Sequence, residues 1–107
     1  NSSFVTAVAN DYGYDNIYSR MVEAAGRDED ILIGISTSGN STNVVNAIER
    51  ANKIGMTTFG FTGEKGGKMN DICDITIKIP SKDTPRIQES HILVGHIICQ
   101  LIEEELF

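Results

Sequence analysis

Four hydroxyl side chains, Ser36, Thr37, Ser38 and Ser41, sit in one short polar stretch around Gly39 and Asn40. An apolar run, Ile31–Ile35, precedes them, and Val44, Val45, Ile48 and Ala51 follow at helical spacing. A strand, a short loop and then a helix aim free N–H groups and the positive end of a helix dipole at an anion. Hydroxyl donors with no Lys or Arg among them suit a small phosphomonoester better than a triphosphate. Ordinary chemistry also explains the stretch, since Ser41 is a common N-cap and Ser, Thr and Asn are common loop residues. A P-loop is excluded. Ahead of Gly67-Lys68, Thr62 stands where that motif needs its first Gly, and Met69 stands where it needs the hydroxyl. The dinucleotide fingerprint is excluded too, because the loop holds a single glycine, Gly39. No nucleotide cofactor is expected.

The remaining candidates are polar residues near the two ends. His91 and His96 are the only histidines, and imidazole is the natural proton shuttle near neutral pH. Both fall in an apolar helical stretch, where a polar group must find a partner, and a core histidine held by one hydrogen bond is the plainer reading. Gln88 can both donate to and accept from ligand hydroxyls, but a polar residue in a first helical turn is common. Asn10 and Asp11 are polar residues that a ligand could use, although Asn-Asp-Tyr-Gly is also plain turn chemistry.

The elements that position these residues follow from apolar spacing. Asp15 can cap a helix carrying Ile17, Tyr18, Met21, Val22 and Ala25, ended by Gly26. Ile31–Ile35 reads as a buried parallel strand. Ser41 starts a helix that Gly55 ends. Thr57–Thr62 is a second strand, residues 63–67 a turn, and residues 74–79 a third strand stopped by Pro80. Residues 85–106 form the longest helix, apolar on most faces, which a short chain can hardly bury alone. Part of it should therefore pack on another subunit or on further chain. Alternating strands and helices predict an α/β fold with a doubly wound parallel sheet, residues 1–107 forming one domain.

Bulk properties narrow the function classes. The chain has 107 residues and a formal net charge of −6, which argues against nucleic-acid or membrane-surface binding through a basic face. No apolar run is long enough to span a bilayer. No signal peptide is visible, although the chain begins at Asn1 without a Met. Cys73 and Cys99, both in apolar surroundings, are expected to be buried free thiols in a reducing cytoplasm.

The segment Gly34-Ile-Ser-Thr-Ser-Gly-Asn-Ser41 resembles the sugar-phosphate loop of SIS (sugar isomerase) domains, most closely that of the phosphoheptose isomerase family. Arg86-Ile87-Gln88-Glu89 with His91 and His96, and Ala9-Asn10-Asp11-Tyr12-Gly13, are similar to two further blocks of that family, in the same order. The resemblance implies a SIS-type, flavodoxin-like three-layer sandwich whose N-terminal part lies upstream of Asn1. It implies an aldose–ketose isomerase acting on sedoheptulose 7-phosphate, toward the heptose of bacterial surface polysaccharides, in a cytoplasmic homotetramer. By resemblance Ser36, Thr37, Ser38 and Ser41 hold the phosphate, and Asn10, Asp11 and Gln88 contact substrate. His96 is the catalytic histidine and His91 is structural.

Some relatives carry zinc on the residues matching Gln88 and His96, with a His and a Glu from an upstream helix. In one straight helix Gln88 and His96 stand about 12 Å apart along the axis, so both reach one metal only if their side chains lean together or the helix begins after Gln88. The family's catalytic Glu has no counterpart here, and Pro85 replaces an acidic residue found in at least one relative. The contrasting reading is a non-enzymatic SIS protein that binds a sugar phosphate or a replication initiator. Such a protein needs no acid–base histidine, so the pair Gln88 and His96 favours the enzyme. An aminosugar isomerase or etherase is disfavoured by the Arg-Ile-Gln-Glu block.

Overall fold

Three apolar runs become three parallel strands, β1 (Ile31–Ile35), β2 (Thr57–Thr62) and β3 (Ile75–Lys78), in the order β1-β2-β3. The computed structural model describes residues 13–107. Asn10 and Asp11 lie outside the described residues. The register pairs Gly34 with Gly60 and Ile35 with Phe61, and Phe61 in turn with Ile77. Parallel neighbours need crossover connections, supplied here by α2 (Thr42–Ile54) and α3 (Gly67–Ile72). A 3-10 turn (Tyr14–Asn16) leads into α1 (Ile17–Ala25), and α4 (Thr84–Leu106) closes the chain.

One face of the sheet packs against α1, α2 and α3. Val22 of α1 meets Ala47 and Ala51 of α2 and Met56, and Leu32 of β1 packs against them. Val45 and Ile48 of α2 meet Met69 of α3, with Ile48 and Met69 wholly buried. The spacing Val44, Val45, Ile48, Ala51 puts these side chains on one stripe of α2. Gly55 ends that helix in the left-handed conformation (φ 94°), its N–H bonding to the carbonyls of Ala51 and Asn52. At the far end of β2, the buried Thr58 hydroxyl donates to Asn52 Oδ1 (3.0 Å) and accepts from the Asp74 N–H (3.1 Å).

The opposite face is covered only in part. Phe61 is buried, its ring 5.8 Å from that of His91 on α4. Beside it, Ile31, Ile33 and Ile35 are 61%, 45% and 56% exposed. β1 is therefore not the buried strand its composition suggests: one face packs on α2, and no described element covers the other. In α4 only Ile87 and His91 are buried, while Ile92, Leu93, Ile97, Leu101, Ile102 and Leu106 are exposed. The all-round apolar character of this helix is thus not satisfied by the described residues.

Other boundaries shift in explicable ways. α1 begins at Ile17 because the 3-10 turn takes up Asp15. The expected turn at 63–67 runs straight into the short helix α3, and β3 is trimmed to Ile75–Lys78. Pro85 sits in the first turn of α4, where its missing N–H costs nothing. Both cysteines are free, but neither is buried: Cys73 is half-buried, and Cys99 is exposed on the wall of the open gap between α4 and the sheet. Burial pushes the Cys73 thiol up, helped by the negative charge of Asp74.

Candidate functional site: a hydroxyl loop and the cleft beside it

Where β1 ends, the backbone continues the ladder for one residue, the Ser36 N–H bonding to the Phe61 carbonyl (3.0 Å). The chain then turns tightly. Gly39 adopts φ 71°, and a Cβ there would lie 2.0 Å from the Gly66 carbonyl oxygen. Only glycine fits this close approach of two loops. Main-chain bonds hold the turn in place: the Gly63 N–H donates to the Thr37 carbonyl (2.9 Å) and the Met69 N–H to the Gly39 carbonyl (3.1 Å). The Asn40 side chain accepts from the Lys68 N–H (2.8 Å), tying the loop to α3.

The hydroxyls gather inside this frame. Ser36 is buried, 2.7 Å from the Ser41 hydroxyl and 3.4 Å from that of Ser38. Its oxygen also accepts from the Gly39 and Ser41 N–H groups (3.2 and 3.4 Å). Ser38 is exposed and accepts from the Asn40 N–H (3.1 Å). Ser41 occupies the N-cap position of α2 but makes no side-chain bond to the helix's first turn. Its hydroxyl turns to Ser36 instead. A cluster of donors therefore stands at the positive end of a 13-residue helix, the arrangement that stabilises an anion.

Two clefts flank the loop. On one side, about 550 Å³ is bordered by Thr37, Ser38, Asn40, Glu64, Lys65 and Lys82, with Lys82 3.6 Å from Glu64. On the other, about 820 Å³ lies between the open sheet face and α4. Ser36, Thr37 and Ser41 form one end of this larger cleft, Gln88 and His91 line its α4 side, and Ile33, Ile35 and Phe61 are among its apolar walls. The structure thus brings Ser36, Thr37, Ser41 and Gln88 to one space. Ser38 borders the smaller cleft only, and His96, exposed on α4, lines neither.

His91 borders the larger cleft although its sequence context points to a purely structural role. The signal is present in its spacing: three residues after Gln88, it falls on the same side of a helix. Gln88 and His96 share one helix that starts at Thr84, before Gln88. Among the described residues no group of three or more His, Cys, Asp or Glu could hold a metal. Gln88 and His96 do not by themselves make a zinc site.

A sequence profile described as SIS domain matches residues 2–63. The chain belongs to the SIS domain family. It is 59% identical to a phosphoheptose isomerase of Aliarcobacter butzleri over 105 residues, covering 98% of this chain and 56% of that protein. It is 53% identical to one of Clostridium acetobutylicum, covering 100% of this chain and 55% of the relative. Among solved structures, a phosphoheptose isomerase from Neisseria gonorrhoeae superposes with a TM-score of 0.93 at 44% identity, over 95% of this chain and 58% of that one. One from Francisella tularensis gives 0.94 at 36% identity, over 97% and 56%. The chain spans little more than half the length of the relatives it matches. The three-stranded parallel sheet with its flanking helices is the family's fold over that span.

Proposed function

We propose that the protein to which this chain belongs is an aldose–ketose isomerase that converts sedoheptulose 7-phosphate to glycero-manno-heptose 7-phosphate. The observation carrying this reading is the 59% identity to a phosphoheptose isomerase across nearly the whole chain, with the hydroxyl loop at the helix N-terminus as its physical counterpart. Ser36, Thr37, Ser38 and Ser41 bind the phosphate through neutral donors and the α2 dipole. Gln88, on the wall of the larger cleft, hydrogen-bonds the open-chain sugar, and Asn10 and Asp11 also contact it. Isomerisation removes a proton from C1 to give an enediol and returns one to C2, while the hydroxyl proton on O1 is lost and O2 gains one. His96 exchanges one of these protons opposite a Glu supplied by chain outside the present sequence. Lying off the larger cleft, it reaches substrate in the assembled full-length protein.

A zinc ion on Gln88 and His96 needs further ligands from outside the described residues. The exposed apolar positions of α4 favour burial between copies, in a homotetramer, and light scattering on the full-length protein tests that state. The product's place is in heptose supply for bacterial surface polysaccharides, a cytoplasmic step.

The test is to incubate full-length protein with sedoheptulose 7-phosphate in deuterated water. Deuterium entering C1 or C2 together with aldose formation supports the isomerase. Tight binding with neither identifies a sugar-phosphate-binding member of the family instead.

A further inference from the structure

The smaller cleft is charged in the opposite sense to the chain around it. The chain has a formal net charge of −6. The charged residues bordering this cleft are Glu64, Lys65 and Lys82, one carboxylate against two ammonium groups. Glu64 and Lys82 stand 3.6 Å apart with both side chains exposed, a pair of little strength. Lys65 has no ion pair among the described residues. Three loops supply the lining: Thr37 and Ser38 follow β1, Glu64 and Lys65 follow β2, and Ser81 and Lys82 follow β3. The cleft therefore opens beyond the carboxyl ends of all three parallel strands, the edge at which open α/β sheets receive their ligands.

The hydroxyl loop has donors and a helix dipole but no full charge of its own. A phosphate monoester carries close to two negative charges at neutral pH, and an acidic surface repels it. Ser38 borders the smaller cleft and Thr37 borders both clefts, so one side of the loop shares its space with the two lysines. We propose that Lys65 and Lys82 draw the phosphate of the substrate onto the Ser36–Ser41 loop from the smaller cleft, supplying the positive charge that the loop's own residues lack. This rests on the isomerase reading. The lysines act through their field on the phosphate and leave the reacting carbons to other groups. Glu64 opposes them, which gives the arrangement a built-in control of opposite sign.

Both lysines are exposed, so neutral substitutions there leave the core alone. Across about 8 Å, two lysines favour a bound dianion about tenfold at ~10 mM ionic strength and about threefold at ~0.15 M. In the full-length protein, Lys65→Gln combined with Lys82→Gln should raise KM for sedoheptulose 7-phosphate by about those factors, with a smaller change in kcat. The inhibition constant of inorganic phosphate should rise in parallel, and the affinity for sedoheptulose lacking the phosphate should stay the same. Glu64→Gln should lower KM about threefold at low salt, a change of sign that local damage does not produce. Lys65→Arg combined with Lys82→Arg, which keeps both charges, should stay near wild type. A wild-type KM in the double Gln variant at low salt, a KM rise that salt leaves unchanged, or a raised KM in Glu64→Gln overturns the role of the lysines alone. Wild-type protein that neither binds nor isomerises the sugar phosphate overturns the isomerase reading and this role with it.

Discussion

The hydroxyls of Ser36 and Ser41 lie 2.7 Å apart, joining the end of β1 to the start of α2 by side chains alone. Ser36 is also the acceptor for two loop N–H groups, so it belongs both to the proposed anion site and to the frame around it. Ser36→Ala leaves those groups short of a partner and should cost roughly 1–3 kcal/mol of stability. Ser38, exposed at the loop tip, should cost less than about 1 kcal/mol when changed to Ala. Denaturant unfolding of both variants checks the difference.

Ligand affinity should separate from stability at the same loop. Losing a hydroxyl that faces a charged phosphate should weaken binding by about 1.5–3 kcal/mol. Calorimetric titration of Ser38→Ala and Ser41→Ala with a sugar phosphate tests this. Wild-type affinity in both would remove the loop from the site.

Gly39 tolerates no side chain. Its φ of 71° and the 2.0 Å separation that a Cβ at this position would have from the Gly66 oxygen act together. Gly39→Ala must push the loops at 36–41 and 63–67 apart, at a cost above about 3 kcal/mol. The expected readout is a lowered melting temperature together with loss of sugar-phosphate binding. A stable variant that binds normally would contradict the pinned loop.

His96 carries the catalytic prediction. Positioned acid–base groups typically contribute about 10²–10⁴ in rate. In the full-length protein His96→Ala should lower turnover at least about a hundredfold while phosphate binding stays largely intact. His91→Ala should lower kcat much less. Near-normal turnover in His96→Ala would turn the reading toward a binding protein.

Thr58 provides the contrasting control. Its buried hydroxyl bridges Asn52 and Asp74 at the end of β2 remote from the loop. Thr58→Val should lose about 1–3 kcal/mol of stability and leave sugar-phosphate affinity unchanged. Parallel unfolding and binding measurements decide it.

Much of this arrangement is legible in the residues. β1 and β2 begin and end where their apolar and β-branched runs do, and α2 ends at the glycine its spacing predicts. Helix α3 is not legible, because its six residues bury only Met69 and show no period. The exposure of Ile31, Ile33 and Ile35 is hidden for another reason: composition reports that a strand is apolar, not whether its partner lies in the same stretch of chain. The exposure of Cys99 is hidden on the same ground, since a helix apolar on most faces does not show which side is covered. At the site, the hydroxyl cluster can be read from spacing. The turn of Ser41 toward Ser36, rather than onto its own helix, depends on how β1 and α2 are set against each other.

The loop's shape and its chemistry are written in different parts of the chain. Main-chain bonds from Thr37 to Gly63 and from Gly39 to Met69, and the contact of Gly39 with Gly66, set the curve. The side chains of Thr37 and Ser38 contribute no hydrogen bond to those cross-loop ties. A descendant sequence could exchange these two for other polar residues and alter what the loop prefers to hold without rebuilding the turn. Ser36 lacks that freedom, because its hydroxyl serves both ends. The route to a new ligand therefore runs through the loop's middle, and drift there can retune recognition while the fold stays silent.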